Sequence, residues 1–188
     1  MRHTFVVYVE DKPGVLNRIA SLFRRRAFNI ESLTVGHTET EGLSRMTILV
    51  ESDSHEALRI EANLYKLVNV LRVHDITSVS AVYRELAMVK VETKTSEIRT
   101  QVMQLVDVFR ARVVDVAPGS VIIEVTGTEK KIDGLLEVLE PYGLLELVRT
   151  GRVGMVRGPR SVLVEPGQPP RSGRSLSDYD ENISASSV

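Results

Sequence analysis

The sequence predicts an α+β fold in which one order of elements, β-α-β-β-α-β, is used twice and a polar tail follows. Three observations carry that prediction. Runs rich in β-branched residues alternate with segments whose apolar residues recur at helical spacing. The order of those segments begins again near residue 79. From Gly158 onward Pro, Gly and Ser replace the apolar pattern. With 188 residues, 43% hydrophobic and 26% charged, the chain can fill one ordinary core or two small ones.

The first strand spans residues 4–9, Thr-Phe-Val-Val-Tyr-Val, and fits a strand buried on at least one face. Asp11-Lys12-Pro13-Gly14 breaks it. Asp11 is suited to an Asx turn or a cap, Pro13 fixes φ near a helix entry, and Gly14 permits close backbone approach. Val15, Leu16, Ile19, Leu22 and Phe23 then paint one face of a helix. Arg24, Arg25 and Arg26 fall in its last turn, where cations suit the negative end of the helix dipole. Asn29 is expected to close the helix, since Asn tolerates the left-handed conformation. A strand over 30–35, a polar turn over 39–42 and a strand over 44–51 read as an antiparallel hairpin. Ser52-Asp53-Ser54 starts a second helix, and residues 70–76 form a fourth strand.

The same order follows with different residues. Residues 85–92 are a strand, and Ser96 is expected to cap a helix carrying Ile98, Val102, Val106 and Phe109. Strands over 112–116 and 120–126 flank the tight turn Ala117-Pro118-Gly119. A helix over 131–139 ends at Pro141-Tyr142-Gly143, and residues 144–149 are the last strand. Each half is thus a four-stranded antiparallel sheet with two helices on one face, the ferredoxin-like plan. The expected domains are residues 3–78 and 79–158, with a disordered tail at 159–188. At about 75 residues each half has a marginal core, so pairing between chains is favourable, and a sheet covered on one side must bury its other face or an edge elsewhere.

Composition excludes several function classes. There is no Cys, which removes disulfides, thiolate nucleophiles and Cys-ligated metals. The formal net charge of −1 gives no general attraction to nucleic acid or an anionic membrane. No apolar run approaches the roughly 18 residues of a membrane span, and the N-terminus does not read as a signal peptide, so a cytoplasmic protein is expected. RNA-recognition modules share the ferredoxin-like plan but need aromatics on two central strands, and the strand with Met46, Ile48 and Val50 has none.

A catalytic constellation is equally hard to find. His3, His37, His55 and His74 have no partner at helical ligand spacing, and structural or solvent roles are expected. No nucleophile elbow, Walker pattern or dinucleotide fingerprint is present. Glu10 and Asp11 are adjacent, so in a strand they face opposite ways and cannot act as an acid/base pair. Small-molecule binding at the Asp11–Gly14 turn is better supported. A helix start offers N–H groups and a positive dipole end to a carboxylate. Asp11 or the Asn29 carbonyl can accept from an ammonium group, and Val15, Leu16 and Ile30 offer an apolar wall.

The segments Val9-Glu10-Asp11-Lys12-Pro13-Gly14-Val15-Leu16, Phe28-Asn29-Ile30-Glu31-Ser32-Leu33-Thr34-Val35 and Leu43-Ser44-Arg45-Met46-Thr47-Ile48 resemble an ACT domain. More narrowly they resemble the small regulatory subunit of acetohydroxyacid (acetolactate) synthase, over residues 3–160. Lys66-Leu67-Val68-Asn69-Val70, Arg84-Glu85-Leu86-Ala87 and Arg149-Thr150-Gly151-Arg152-Val153 agree.

The resemblance implies a chain without activity of its own. It would bind a catalytic large subunit, activate it, and confer feedback inhibition by valine or another branched-chain amino acid. Thiamine diphosphate, Mg²⁺ and FAD would belong to that partner, with no cofactor, metal or catalytic residue in this chain. ACT domains pair side by side, so a homodimer is implied, with the effector at its interface. Carried over by position, Asp11, Lys12, Pro13, Gly14, Val15 and Leu16 would meet the effector from one turn. Asn29 and Ile30 would meet it from the start of the second strand, on the same chain or the partner. Some family members carry Asn where this chain has Asp11, which bears on ammonium binding and on which amino acid is preferred. A free-standing ACT-type sensor serving another enzyme is the alternative.

Overall fold

The computed structural model describes residues 1–159. It divides into two compact units, one formed by Met1–Val82 with the chain from Gly154, the other by Tyr83–Val153. The expectation of a disordered tail falls almost wholly on residues 160–188, outside the described residues. Both units follow the β-α-β-β-α-β order, and the fold class is α+β as the alternation of periods predicts.

In the first unit the elements are β1 (Arg2–Glu10), α1 (Val15–Arg25), β2 (Ile30–His37), β3 (Leu43–Glu51), α2 (Ser54–Leu64) and β4 (Val70–Asp75). The sheet order is β2-β3-β1-β4, with every pairing antiparallel. Phe5, Val7 and Val9 of β1 and Met46, Ile48 and Val50 of β3 point to the same side, as the two-residue strand period requires. There they pack against Val15, Ile19, Leu22 and Phe23 of α1 and Ala57, Ile60 and Leu64 of α2. Fully burying side chains of this size contributes about 1.5–3 kcal/mol each before chain entropy is set against it. The opposite face is buried too, through Thr4, Val6, Tyr8, Thr47 and Leu49. On that side Arg45 lies over the Tyr8 ring at 5.9 Å and donates to the Gly154 carbonyl.

The second unit comprises β5 (Ala81–Glu92, from Tyr83), α3 (Ser96–Val108), β6 (Arg112–Ala117), β7 (Ser120–Gly127), α4 (Glu129–Leu139), a 3₁₀ turn (Glu140–Tyr142) and β8 (Leu144–Arg149), and the chain then forms the short strand β9 (Val153–Val156), which from Gly154 belongs to the first unit. The second unit's sheet order is β6-β7-β5-β8. Ala87, Val89 and Val91 face Val102, Val106, Ile132, Leu135 and Leu139 across the core. Its other face is more open, with Met88 and Val148 paired across β5 and β8 and both exposed.

Several local expectations change. Strand β5 begins four residues earlier than the apolar run suggests, and β9 was not expected at all. Helix α3 is capped by Thr95, whose hydroxyl accepts from the Ile98 N–H, and Ser96 is its first helical residue. The left-handed residue after α1 is Ala27, at φ 56°, and Asn29 lies beyond the turn. The chain reverses there because the Phe28 N–H reaches back to the Phe23 carbonyl. At α2 the expected cap cluster resolves into a capping box in which Asp53 accepts from the Glu56 N–H and Glu56 returns the bond. The hydrogen bond from the Glu56 backbone holds the Asp53 carboxyl below its ordinary value.

Candidate functional site

Strand β1 ends in a turn whose backbone is pinned at several points. The Asp11 N–H donates to the Gly42 carbonyl at 2.7 Å, and the Val15 N–H donates to the Lys12 carbonyl at 3.3 Å. Gly14 occupies the N-cap at φ 84°, ψ −5°, a left-handed conformation that costs other L-residues about 1–2 kcal/mol. No side chain caps α1, and its first turn contains no acidic residue. The helix start therefore keeps its positive end for an outside acceptor. A Cβ built on Gly14 would meet nothing within 4 Å, so the space above the turn is open.

Around this turn the side chains sort by face. Glu10 is the last residue of β1 and Asp11 the first of the turn, and their environments differ. Glu10 is buried, while the Asp11 side chain is 44% exposed. Glu10 accepts from the Asn69 amide at 2.5 Å and from Lys12 Nζ at 3.3 Å. Arg18 of α1 in turn donates to Asn69 Oδ1 at 2.9 Å. These bonds tie the turn to the loop before β4. Asp11 pairs instead with His37 at the end of β2, with Nδ1–Oδ2 at 3.1 Å. Pro13 is exposed at the surface of the turn. Val15 gives its side chain to the first core, so the apolar wall at this end comes from Leu16, which is 44% exposed.

Asn29 and Ile30 lie elsewhere. Ile30 pairs with Val50, which pairs with His3 near the start of β1, whereas His37 pairs with Ser44, opposite Val9 at the other end. Val9 lies six residue steps along β1 from His3, so Asn29 stands about 20 Å along the sheet from the Asp11 turn. Asn29 is exposed, and Ile30 is half-buried against the first core. One chain therefore brings together Asp11, Lys12, Pro13, Gly14, Val15 and Leu16 but not Asn29 and Ile30.

Two histidine contacts are not legible in the sequence, because their partners are distant in the chain. His3 is buried and pairs with Asp75 of β4 at 2.8 Å, and His37 pairs with Asp11. Only the strand register could have revealed them. Among the described residues there is no group of three or more His, Asp or Glu side chains placed to hold a metal ion. No described helix is long and apolar enough to cross a membrane.

The second unit contains a cavity of about 290 Å³ beside the start of α4, bordered by Tyr83, Glu85, Thr128, Glu129 and Arg152. Its charges are largely committed to one another. The nearly buried Glu85 carboxylate accepts from Arg149 at 2.7 Å and lies 3.8 Å from Arg152, which also holds Glu129 at 2.7 Å. Burial lowers the Arg149 pKa, but hydrogen bonds to Asp133 and Glu85 outweigh it and leave the guanidinium above its ordinary value. This network joins β5, β8 and α4.

Comparison with known proteins covers both units. Residues 5–72 match the family model described as AHAS small subunit-like ACT domain, and residues 84–158 match that of the small subunit of acetolactate synthase. A probable acetolactate synthase small subunit from Archaeoglobus fulgidus is 51% identical over 158 residues, 84% of this chain and 98% of that protein. The acetolactate synthase small subunit of Mycobacterium bovis is 48% identical over 160 residues, 85% of this chain and 95% of the other. The crystal structure of a Thermotoga maritima small subunit superposes with a TM-score of 0.79 at 40% identity, covering 84% of this chain and 98% of that one.

Proposed function

The chain belongs to the acetolactate synthase small-subunit family, and from that premise we propose that it binds an amino-acid effector and transmits its presence to a catalytic large subunit. In this reading the chain performs no chemistry. It raises the activity of a thiamine-diphosphate-dependent large subunit and, on binding valine or another branched-chain amino acid, lowers it. The first unit senses the effector, and the second serves regulation of the complex.

The observation that carries the reading is the open, uncapped start of α1 with an exposed carboxylate beside it. A free α-amino acid needs donors for its carboxylate, an acceptor for its ammonium group and an apolar surface. The first turn of α1, Asp11 and Leu16 offer these in order. The rest of the site comes from a second chain. Strand β2 is at the sheet edge, and antiparallel pairing of two β2 strands about a two-fold axis sets the start of one against the end of the other. Asn29 and Ile30 of one chain would then approach the Asp11 turn of its partner. Regulation requires the effector to prefer one conformation of the complex, since equal affinity for both shifts nothing.

Co-purification with a large thiamine-dependent synthase tests the assembly. A stable complex supports the reading, and its absence leaves a sensor that serves some other enzyme. Incubating the isolated chain with pyruvate tests the division of labour, because acetolactate formed without a partner would contradict it.

A further inference from the structure

We propose that His37 is a positioning residue of the effector site: its imidazole orients the Asp11 carboxylate for the effector's ammonium group and makes effector affinity fall at acid pH. The inference rests on the reading of Asp11 as the ammonium acceptor. Strand register places His37 at this end of the sheet, opposite Ser44 and therefore level with Val9, two residues before Asp11 opens the β1–α1 turn. Its Nδ1 lies 3.1 Å from Asp11 Oδ2. A carboxylate held at one oxygen by an N–H donor presents the other in a fixed direction. Neutral His37 can supply that donor at no cost in charge. Protonated His37 places a full positive charge beside the position an ammonium group would take, and competes with it for the same carboxylate.

Imidazole is the side chain type whose charge can change within the physiological range, which makes acid pH the natural probe of this contact. The other charged groups at this end of the sheet are Glu10 and Lys12 of the turn, Arg18 of α1, Arg45 of β3 and Glu39 and Glu41 of the hairpin. Glu10 is committed to Asn69 and Lys12, Arg18 to Asn69, and Arg45 to Tyr8, Thr47 and Gly154. The His37 and Asp11 side chains are 83% and 44% exposed, so their coupling is that of a surface pair and the expected effect is a few-fold.

The test is calorimetric titration of the full chain with valine, leucine and isoleucine at about pH 8 and about pH 6. The wild type should bind its preferred amino acid about threefold more weakly at the lower pH. His37→Gln, which keeps a neutral donor, should bind like the wild type at the higher pH and lose the pH dependence. His37→Ala should bind about threefold more weakly at the higher pH and also lose the dependence. A pH-independent wild type, or a His37→Ala variant with wild-type affinity and slope, overturns the proposal. Asp11→Asn separates positioning by His37 from effector binding at Asp11. If it abolishes binding while the His37 variants match the wild type, only the positioning role fails. If Asp11→Asn binds like the wild type, or no titration shows binding, the effector reading of Asp11 fails and the proposal with it.

Discussion

Asn29 and Gly14 stand at opposite ends of the first unit, about 20 Å apart along the strands, because the chain between them runs up α1 and turns back at Ala27. No side-chain rotation closes that distance. An effector the size of valine that touches both residues must lie between two chains. Dimer formation and effector binding should therefore fail together. Val35, exposed on the edge strand β2, is a suitable probe. Val35→Asp places a like-charged pair at a two-fold contact and should shift the chain toward monomer in sedimentation. Effector affinity should drop in the same samples, and a monomer that binds normally would sink the two-chain site.

Gly14→Asp should raise the effector concentration needed for half-inhibition by about tenfold or more. The substitution strains a φ of 84° and directs a carboxylate into the open space where the effector's own carboxylate is expected. Gly14→Ala adds the strain without the charge, so it should show a smaller shift in the same inhibition assay. Equal shifts would assign the effect to backbone strain alone.

Asn29→Ala removes an exposed amide that makes no core contact. It should raise the half-inhibitory concentration while leaving activation of the catalytic subunit intact. Rate measurements with and without effector separate the two. Equal loss of activation would place Asn29 at the contact with the catalytic subunit.

Glu85→Ala should destabilise the second unit by about 2–3 kcal/mol, since it strips a nearly buried carboxylate from two arginines. The cost stays below that of breaking a fully buried pair because Arg149 retains Asp133 and Arg152 retains Glu129. Urea unfolding should show a lower midpoint with an unchanged slope. Effector affinity should not move, as the network lies outside the first unit.

Much of this architecture is legible in the sequence, because burial imposes a period on each element. Ile19, Leu22 and Phe23 announce α1, and Val121, Ile123 and Val125 alternate along β7. Boundaries are less legible. The residues before Glu85 in β5 lack the apolar alternation, and the four-residue β9 is too short to show a period. Helix caps depend on single hydrogen bonds, which is why Thr95 and Ser96 could not be told apart. The site divides the same way. Residues 11–16 are local and readable, whereas the Asp11–His37 and Glu10–Asn69 contacts depend on strand register.

Sensing of a branched-chain amino acid on behalf of another subunit is read in the rate of acetolactate formation by the catalytic large subunit, with and without this chain, as valine, leucine or isoleucine is titrated. The rate should rise when the chain is added and fall saturably with at least one of the three amino acids. A rate indifferent to the chain, or raised by it but unmoved by all three, would show that the chain is not such a sensor.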